Sequence, residues 1–319
     1  STVSAVGSPT LNGSIFTAVA QNRMANTTIQ WEKTTQTDIG IELELLNRRI
    51  LFSADYYNKK TTDILVRVPL VSSYGVGEAP YRNAGEVSNK GYEISLTYRS
   101  APASKFSYEI SGNIAKVKNK LETLGVSGSS EIFGSDYKNT YVGRTAEGAP
   151  IGHFYVLNAL GIYQSQNEVE SYRNADGNLI QPLAVAGDVK FQDVNGDGII
   201  SAKDRINAGN SFPSLTYALN GSANYKGFDM SMLWTGSHGN KIFNGLKYGG
   251  VFMQGATYNN SPEILNRWTP ESPSSTLPRV TIKDLNNNKV YSTLYIEEGS
   301  FLRLKYLTFG YTFNESILK

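Results

Sequence analysis

The chain of 319 residues contains no cysteine and few charged side chains. The absence of cysteine excludes a disulfide framework, thiol catalysis and thiolate metal sites. Charged residues make up 18% of the sequence, and the formal net charge is +2 without any basic block, so we expect no nucleic-acid partner. The sequence also lacks a run of about 18 apolar residues, which excludes a membrane-spanning helix but leaves a transmembrane β-barrel open.

Glycine (30) and tyrosine (20) are abundant, which favours an all-β protein with many turns. Seven segments alternate apolar and polar residues, as half-buried strands do. The segments are IGIELEL, ILFSADYYNK, GYEISLTYR, FSYEISGNI, SLTYALNGSANYKG, FDMSMLWTG and LRLKYLTFGYTF. In the last segment the apolar face of Leu307 and Phe309 continues back to Lys305 and Arg303, which predicts either a β-bulge or a strand end above an apolar band.

The connections between these segments alternate strictly in length. Three are short, namely residues 47–49, 100–105 and 226–227, and three are long, namely about 60–85, 118–214 and 239–299. In an up-and-down barrel this order puts the short turns at one end and the long loops at the other. Transmembrane barrels have this asymmetry, with short periplasmic turns and long extracellular loops. A soluble sandwich would show the same alternation within strands, so the loop asymmetry is what favours the barrel.

Several stretches, in matching order and spacing, resemble the carboxy-terminal barrel region of SusC/RagA-type TonB-linked (TonB-dependent) outer-membrane transporters. They are IQWEKTTQTDIGIELELLNRRILFSADYYNKKTTDIL, NAGEVSNKGYEISLTYR, VGRTAEGAPIGHFYVLNALGIYQSQNEVESY, GDVKFQDVNGDGIISAKDR, FPSLTYALNGSANYKGFDMSMLWTGSHGNKIFN, NRWTPESPSSTLPR and SFLRLKYLTFGYTF.

The resemblance implies an antiparallel transmembrane β-barrel of about 22 strands in outer-membrane lipid, with its lumen blocked by a plug. It also implies import of oligosaccharides or peptides, energy from the TonB complex, and a SusD-like surface lipoprotein as a lid. We expect this chain to be part of the carboxy-terminal half of such a barrel. The plug domain and the segment that contacts TonB would then lie outside it.

Residues 193–204, DVNGDGIISAKD, match most of the calcium-loop pattern. The predicted ligands are Asp193, Asn195, Asp197, the carbonyl of Ile199, Ser201 and Asp204. Asp204 stands where the pattern has Glu, and its side chain is shorter by one methylene. We expect structural calcium that orders a long surface loop; the alternative is a cluster of Asn-Gly and Asp-Gly turns that binds nothing.

No catalytic set is visible in the sequence, so we expect no enzyme. His153 and His238, the two histidines, lack metal-ligand spacing with each other. The alternative function is a secreted, calcium-stabilised β-sandwich that binds glycans, or a glycosidase that uses two carboxylates. For the glycosidase, Glu93 and Glu109 are candidates only because both lie on polar strand faces.

Aromatic side chains in the long connections could stack against sugar rings. The candidate substrate residues are Tyr74, Tyr81, Tyr248 and Tyr258, with ordinary packing in the loops as the alternative for each. Trp268, in the segment RWTPESP, is predicted to be a structural anchor instead, because the neighbouring prolines stiffen its loop.

Overall fold

The structure is a computed structural model. It describes residues 2–7, 10–11, 14–15, 18–23, 25–67, 80–102, 104–125, 131–133, 136–137, 140–250, 259–274 and 276–313. The chain divides into two compact units. Unit 1 contains Ser1–Leu96, Ala115–Ile132 and Thr145–Ile151, and unit 2 contains Thr97–Ile114, Phe133–Arg144 and Gly152–Lys319. None of the helices in the described ranges is long and apolar enough to span a membrane.

Strands dominate both units. They are β1 (Thr2–Gly7), β2 (Thr10–Leu11), β3 (Ser14–Ile15), β4 (Ala18–Arg23), β5 (Lys33–Leu45), β6 (Ile50–Arg67), β7 (Tyr81–Arg99), β8 (Phe106–Thr123), β9 (Glu131–Phe133), β10 (Asp136–Tyr137), β11 (Thr140–Tyr141), β12 (Gly143–Ala146), β13 (His153–Leu157), β14 (Ala159–Ile162), β15 (Val189–Phe191), β16 (Arg205–Asn207), β17 (Leu215–Tyr225), β18 (Phe228–His238), β19 (Lys241–Phe243), β20 (Ile296–Glu298) and β21 (Phe301–Tyr311). The α-helices are α1 (Gln166–Ser171) and α2 (Gly245–Gly250), and the 3₁₀ helices are Ala202–Asp204, Pro262–Asn266 and Thr293–Tyr295.

The seven predicted strands are confirmed as β5, β6, β7, β8, β17, β18 and β21, and they form one sheet in the order β21-β18-β17-β8-β7-β6-β5. Four predicted strand ends are wrong, the first being the start of β5, which lies at Lys33 and not at Ile39. β6 continues to Arg67, β7 begins at Tyr81 and β8 continues to Thr123, so the connections predicted at 60–85 and 118–214 are shorter than expected. Alternation missed the ends of β7 and β8 because these extensions bury Val87 and Leu121 in a small core with Leu124 in unit 1.

In unit 1, the register of β5 with β6 separates an apolar face from a polar face. Ile41 pairs with Ala54 and Leu43 with Phe52 on one side of the hairpin. On the other side, Glu42 pairs with Ser53. Residues 46–49 close the hairpin, and the amide of Arg49 donates to the carbonyl of Leu45 at 3.1 Å. The predicted short turn is therefore confirmed.

In unit 2, the predicted bulge is confirmed at Lys305. Leu233 pairs with Tyr306, but the next residue of β18, Trp234, pairs with Leu304, so Lys305 has no partner in the ladder. This extra residue keeps the apolar residues of β21 on one face. That face holds Leu215, Tyr217, Leu219, Ala223 and Tyr225 of β17, Phe228, Met230, Met232 and Trp234 of β18, and Leu302, Leu304, Leu307, Phe309 and Tyr311 of β21.

The described residues leave this apolar face largely uncovered. This exposure distinguishes the predicted barrel from the alternative sandwich. Phe228 is 63% exposed and Phe309 is 70% exposed. In unit 1, Ile39 lies on the apolar face of the β5–β6 hairpin and is 68% exposed. A sandwich would bury such a face against a second sheet, whereas a transmembrane barrel presents it to lipid. The sandwich alternative is therefore wrong.

The buried core of unit 2 lies in the long connections. One cluster joins Val142, Val156, Tyr248, Tyr291 and Tyr295. Two others are centred on Leu157, Val189 and Phe191, and on Tyr163, Val169 and Ala184. These connections are therefore folded structures that can hold side chains in fixed positions.

Candidate functional site

The predicted calcium loop lies in unit 2, where it follows β15 and ends in the 3₁₀ helix Ala202–Asp204. The structure brings Asp193, Asp197 and Asp204 together, with one carboxylate oxygen of each within 4.8 Å of the others. The described ranges contain no other group of three or more His, Asp or Glu side chains this close. Three of the six predicted ligands thus converge on one point.

Two glycines shape the turn around Asp193. The amides of Gly196 and Gly198 donate to the two carboxylate oxygens of Asp193, each at 2.8 Å. Gly198 has a φ of +84°, and a Cβ atom there would lie 2.4 Å from the Nδ2 atom of Asn174. The glycine is therefore required both by the left-handed backbone and by the space beside it.

Asp204 is fully buried, with an exposed fraction of 0%. Burial opposes its ionisation, but the amides of Ser201, Val194 and Asn195 donate to its carboxylate, and together these bonds lower the pKa of Asp204 below its ordinary value. The shortest of them joins the Ser201 amide to Oδ2 at 2.7 Å. Asp204, which stands in place of the Glu of the pattern, is thus an ionised carboxylate. Its bonds to the amides of Val194 and Asn195 also join the end of the loop to its start.

The other predicted ligands are engaged inside the loop. The Asn195 side chain donates to Asp197 Oδ2 at 3.0 Å and accepts from the Asp197 amide at 2.9 Å. The Ser201 hydroxyl donates to Asp204 Oδ2 at 3.3 Å and accepts from the Lys203 amide. Ile199 is exposed, as a residue that offers only its carbonyl would be.

The donor set fits a hard divalent cation. Ca²⁺ prefers carboxylate and carbonyl oxygens, and three carboxylates meet here. None of the three has an ion pair with a Lys or Arg side chain in the described part of the chain. Neighbouring carboxylates without a cation repel one another, and one of these is buried.

The other titratable candidates are dispersed. His153 is 3% exposed and its ring packs 6.3 Å from that of Tyr155, whereas His238 is exposed at the end of β18. Glu93 belongs to unit 1 and is exposed. Glu109 belongs to unit 2, where its carboxylate pairs with Arg99 Nε at 2.7 Å.

The predicted substrate tyrosines have different surroundings. Tyr81 is 39% exposed, and the guanidinium carbon of Arg67 lies 4.9 Å from its ring centroid. Tyr248 is 8% exposed, with the rings of Tyr291 and Tyr295 at 4.8 Å and 5.1 Å. Its ring is buried, so the packing alternative replaces substrate contact for Tyr248. Tyr74 and Tyr258 lie outside the described residues.

Sequence reasoning missed a buried polar network in unit 2. Asp188 is 0% exposed, and its carboxylate accepts from Arg279 Nε at 2.6 Å and from Asn288 Nδ2 at 2.8 Å. The partners are 91 and 100 positions away, so no local pattern signals the contact. Trp268 is buried near this network, as the predicted anchor should be, and its indole donates to Gln164 Oε1 at 3.2 Å.

Known proteins resemble this chain in sequence. The sequence pattern of the family described as TonB dependent receptor-like, beta-barrel, matches residues 4–276. TonB-dependent receptor P3 of Formosa agariphila is 31% identical over 317 residues, which are 98% of this chain and 30% of that protein. TonB-dependent receptor SusC of Bacteroides thetaiotaomicron is 23% identical over 310 residues, 94% of this chain and 28% of that protein.

The fold also occurs in solved structures. A chain of the RagAB peptide transporter superposes with a TM-score of 0.73 at 22% identity, covering 99% of this chain and 32% of the solved one. The 319 residues therefore span about 30% of the length of the curated relatives that they match.

Proposed function

Because this chain belongs to the TonB-dependent receptor-like β-barrel family, of the SusC/RagA type, we propose that it forms part of an active importer driven by TonB. The family is an outer-membrane one, and its members are transporters, not enzymes. The chain is thus a segment of an outer-membrane barrel protein. Its cargo, its energy source and its partners are what we propose.

The observation that carries the proposal is the exposed apolar face of the seven-stranded sheet. Lipid accommodates apolar side chains, but it cannot form hydrogen bonds with backbone groups. A sheet in a membrane must therefore have one apolar face and fully hydrogen-bonded strands. The opposite face, with Glu42, Asp229 and Arg303, suits a wet or plugged lumen.

We propose oligosaccharides or peptides as cargo, with a SusD-like surface lipoprotein as lid and with TonB engaged through a region outside this chain. The likeness to SusC and to a chain of the RagAB peptide transporter supports this assignment. The folded long connections of unit 2 provide ordered surface on which cargo and a lid could dock.

Uptake by cells tests the transport proposal. Cells that lack the gene should lose uptake of one class of labelled oligosaccharide or peptide, and the intact gene should restore it. Removing TonB should abolish the restored uptake without lowering the amount of protein in the outer membrane. Equal uptake of every tested oligosaccharide and peptide with and without the gene would contradict the proposal.

Purification of the native complex tests the partner. The intact protein, solubilised in mild detergent, should bring a surface lipoprotein with it at a fixed ratio. Purification of the protein alone from outer membranes, under conditions that keep other lipoprotein complexes intact, would contradict the lid.

We further propose that residues 193–204 hold a structural calcium ion through Asp193, Asp197 and Asp204. The meeting of three carboxylates without a cationic side chain supports this. Chelation should then lower the melting temperature of the intact protein, because an ion bound only to the folded state stabilises it.

Matched variants distinguish an effect of chelation at this loop from an effect at other acidic groups. Chelation should have no effect on a variant that combines Asp193→Asn with Asp197→Asn, and should act on Asp176→Asn as on the parent protein. Asp176 is an exposed acid of the same unit outside the cluster. A chelator that changes neither the calcium content nor the melting temperature of the parent protein would overturn the calcium site.

A further inference from the structure

A cavity of about 450 Å³ lies within unit 2, beside the exit of the 193–204 loop. Its size falls in the range of small-molecule sites, which is about 300–1,000 Å³. Three large aliphatic side chains of its wall are exposed: Leu183 at 58%, Ile199 at 60% and Leu285 at 59%. Apolar side chains gathered around a concave site favour an apolar ligand group.

Arg205 also lines this cavity. Its side chain makes no hydrogen bond or ion pair with any residue that the structure describes, and its Nε atom is buried without a partner. Buried donors are nearly always satisfied, because an unpaired one loses its bonds to water without replacement. A guanidinium binds a carboxylate well, since its fork of donors matches the two oxygens.

The amides of the wall divide into saturated and open groups. Gln181 donates to the carbonyl of Val189 at 3.0 Å, and its side-chain oxygen accepts from the amide of Phe191 at 2.8 Å. Asn286 donates to the same carbonyl of Val189. Asn287, by contrast, is exposed, and its side-chain amide has no partner among the described residues. The side-chain amide of Asn287 is thus available to form hydrogen bonds with the amide group of a ligand.

We propose that this cavity binds a short peptide that ends in an apolar residue with a free carboxylate. The carboxylate would pair with Arg205, the apolar side chain would contact Leu183, Ile199 and Leu285, and the peptide amide would bond to Asn287. A sugar fits less well, because the one aromatic side chain of the wall, Phe191, is 1% exposed and offers no stacking face. The proposal concerns binding at this cavity and goes beyond the choice of transported cargo.

Calorimetric titration of the intact protein in detergent tests the site with N-acetyl-leucyl-leucine as the probe. The free acid should bind, and its carboxy-terminal amide should bind at least tenfold more weakly because it cannot form the ion pair. Octanoate, which has the carboxylate but no amide, should also bind more weakly. Equal binding of acid and amide, or no binding of the acid at millimolar concentration, would overturn the proposal. Octanoate as tight as the peptide would overturn the peptide assignment.

Variants locate the binding. Arg205→Gln should remove the preference for acid over amide, whereas Lys203→Gln, the same charge change at an exposed residue outside the wall, should retain it. Leu285→Ser changes an exposed side chain and should fold normally while weakening both probes. A preference for the acid that persists in folded Arg205→Gln protein would show that the carboxylate binds elsewhere.

Discussion

At the scale of single residues, Gly187 shows how backbone and packing can fix one identity together. Its φ of +88° belongs to the left-handed region, and a Cβ atom at this position would lie 2.3 Å from Cε3 of Trp268. Trp268 is itself held by its bond to Gln164. The indole therefore cannot move aside without giving up that bond.

Gly187→Ala should destabilise the intact protein by about 2–4 kcal/mol, from backbone strain and overpacking together. Thermal unfolding in detergent measures the loss. Gly177→Ala is the matched control, because Gly177 has a φ of +81° and open space around it. It should cost only the strain, about 1 kcal/mol, and equal losses in the two variants would contradict the packing role of Trp268.

The buried phenol of Tyr295 should make the stability of the protein depend on pH in the alkaline range. Burial, then the nearby Tyr248 and Asp284, raise the pKa of the Tyr295 phenol above its ordinary value of 10.0. A raised folded-state pKa contributes stability that is complete below the unfolded-state pKa and is lost as pH rises above it. The protein should therefore lose stability above about pH 10.

Tyr295→Phe should reduce this alkaline loss while changing stability little at pH 7, because the bond from the hydroxyl to the carbonyl of Asn288 is long, at 3.4 Å. Melting temperatures between pH 7 and pH 11 measure the effect. Tyr141→Phe, at a residue that is 44% exposed, should leave the pH profile unchanged. Identical profiles for Tyr295→Phe and the parent protein would contradict the prediction.

At the scale of elements, the bulge in β21 has a testable logic. Lys305 is an extra residue between Leu304 and Tyr306, whose partners Trp234 and Leu233 are consecutive. Deleting Lys305 would leave every pair and every face of the strand in place. Deleting Thr308, which pairs with Ser231, would instead turn the residues on one side of the cut to the opposite face.

The deletion of Lys305 should therefore allow assembly of the intact protein in the outer membrane, and the deletion of Thr308 should prevent it. Immunoblots of outer-membrane fractions and protease resistance measure assembly. If the Lys305 deletion fails and the Thr308 deletion assembles, the register of β18 with β21 is wrong.

The sequence predicts the strands of the sheet better than the connections, for a physical reason. Lipid on one side and polar surroundings on the other impose a period of two, which is visible in segments such as residues 91–99. Beyond the apolar band that constraint ends, so the extensions to Arg67 and Thr123 are not visible. The loop cores depend on distant partners, such as Asp188 with Arg279, and Tyr248 is indistinguishable in sequence from an exposed tyrosine.

The candidate site divides in the same way. The spacing of Asp193, Asp197 and Asp204 is local, so the sequence predicts their convergence. The Asp204 backbone contacts and the unpartnered guanidinium of Arg205 are not local signals, because both depend on how the loop packs. The sequence shows an arginine directly after the acidic loop, at Arg205, but it does not show the cavity beside it.

At the scale of the whole molecule, the two faces of the sheet should respond differently to charge. Leu307 pairs with Met232 on the apolar face, and the neighbouring Thr308 lies on the other face. A lysine facing lipid near the middle of a bilayer costs about 2–4 kcal/mol, whereas one facing the lumen is tolerated.

Leu307→Lys should therefore lower the stability of the intact protein in lipid bilayers much more than Thr308→Lys. Urea unfolding in liposomes measures both free energies. Equal losses would show that the apolar face meets protein and not lipid.

The ion pair between Asp188 and Arg279 also has a use in engineering. It fastens two segments of unit 2 that are 91 positions apart, so the stretch between them has both ends fixed by one buried contact. A chimera that exchanges residues 188–279 for the corresponding stretch of a relative would exchange both partners of this contact together. A cut made inside either end would separate the partners and leave a buried carboxylate unpaired. These two residues therefore mark the ends of a stretch, with β17 and β18 inside it, that can be exchanged between related barrels.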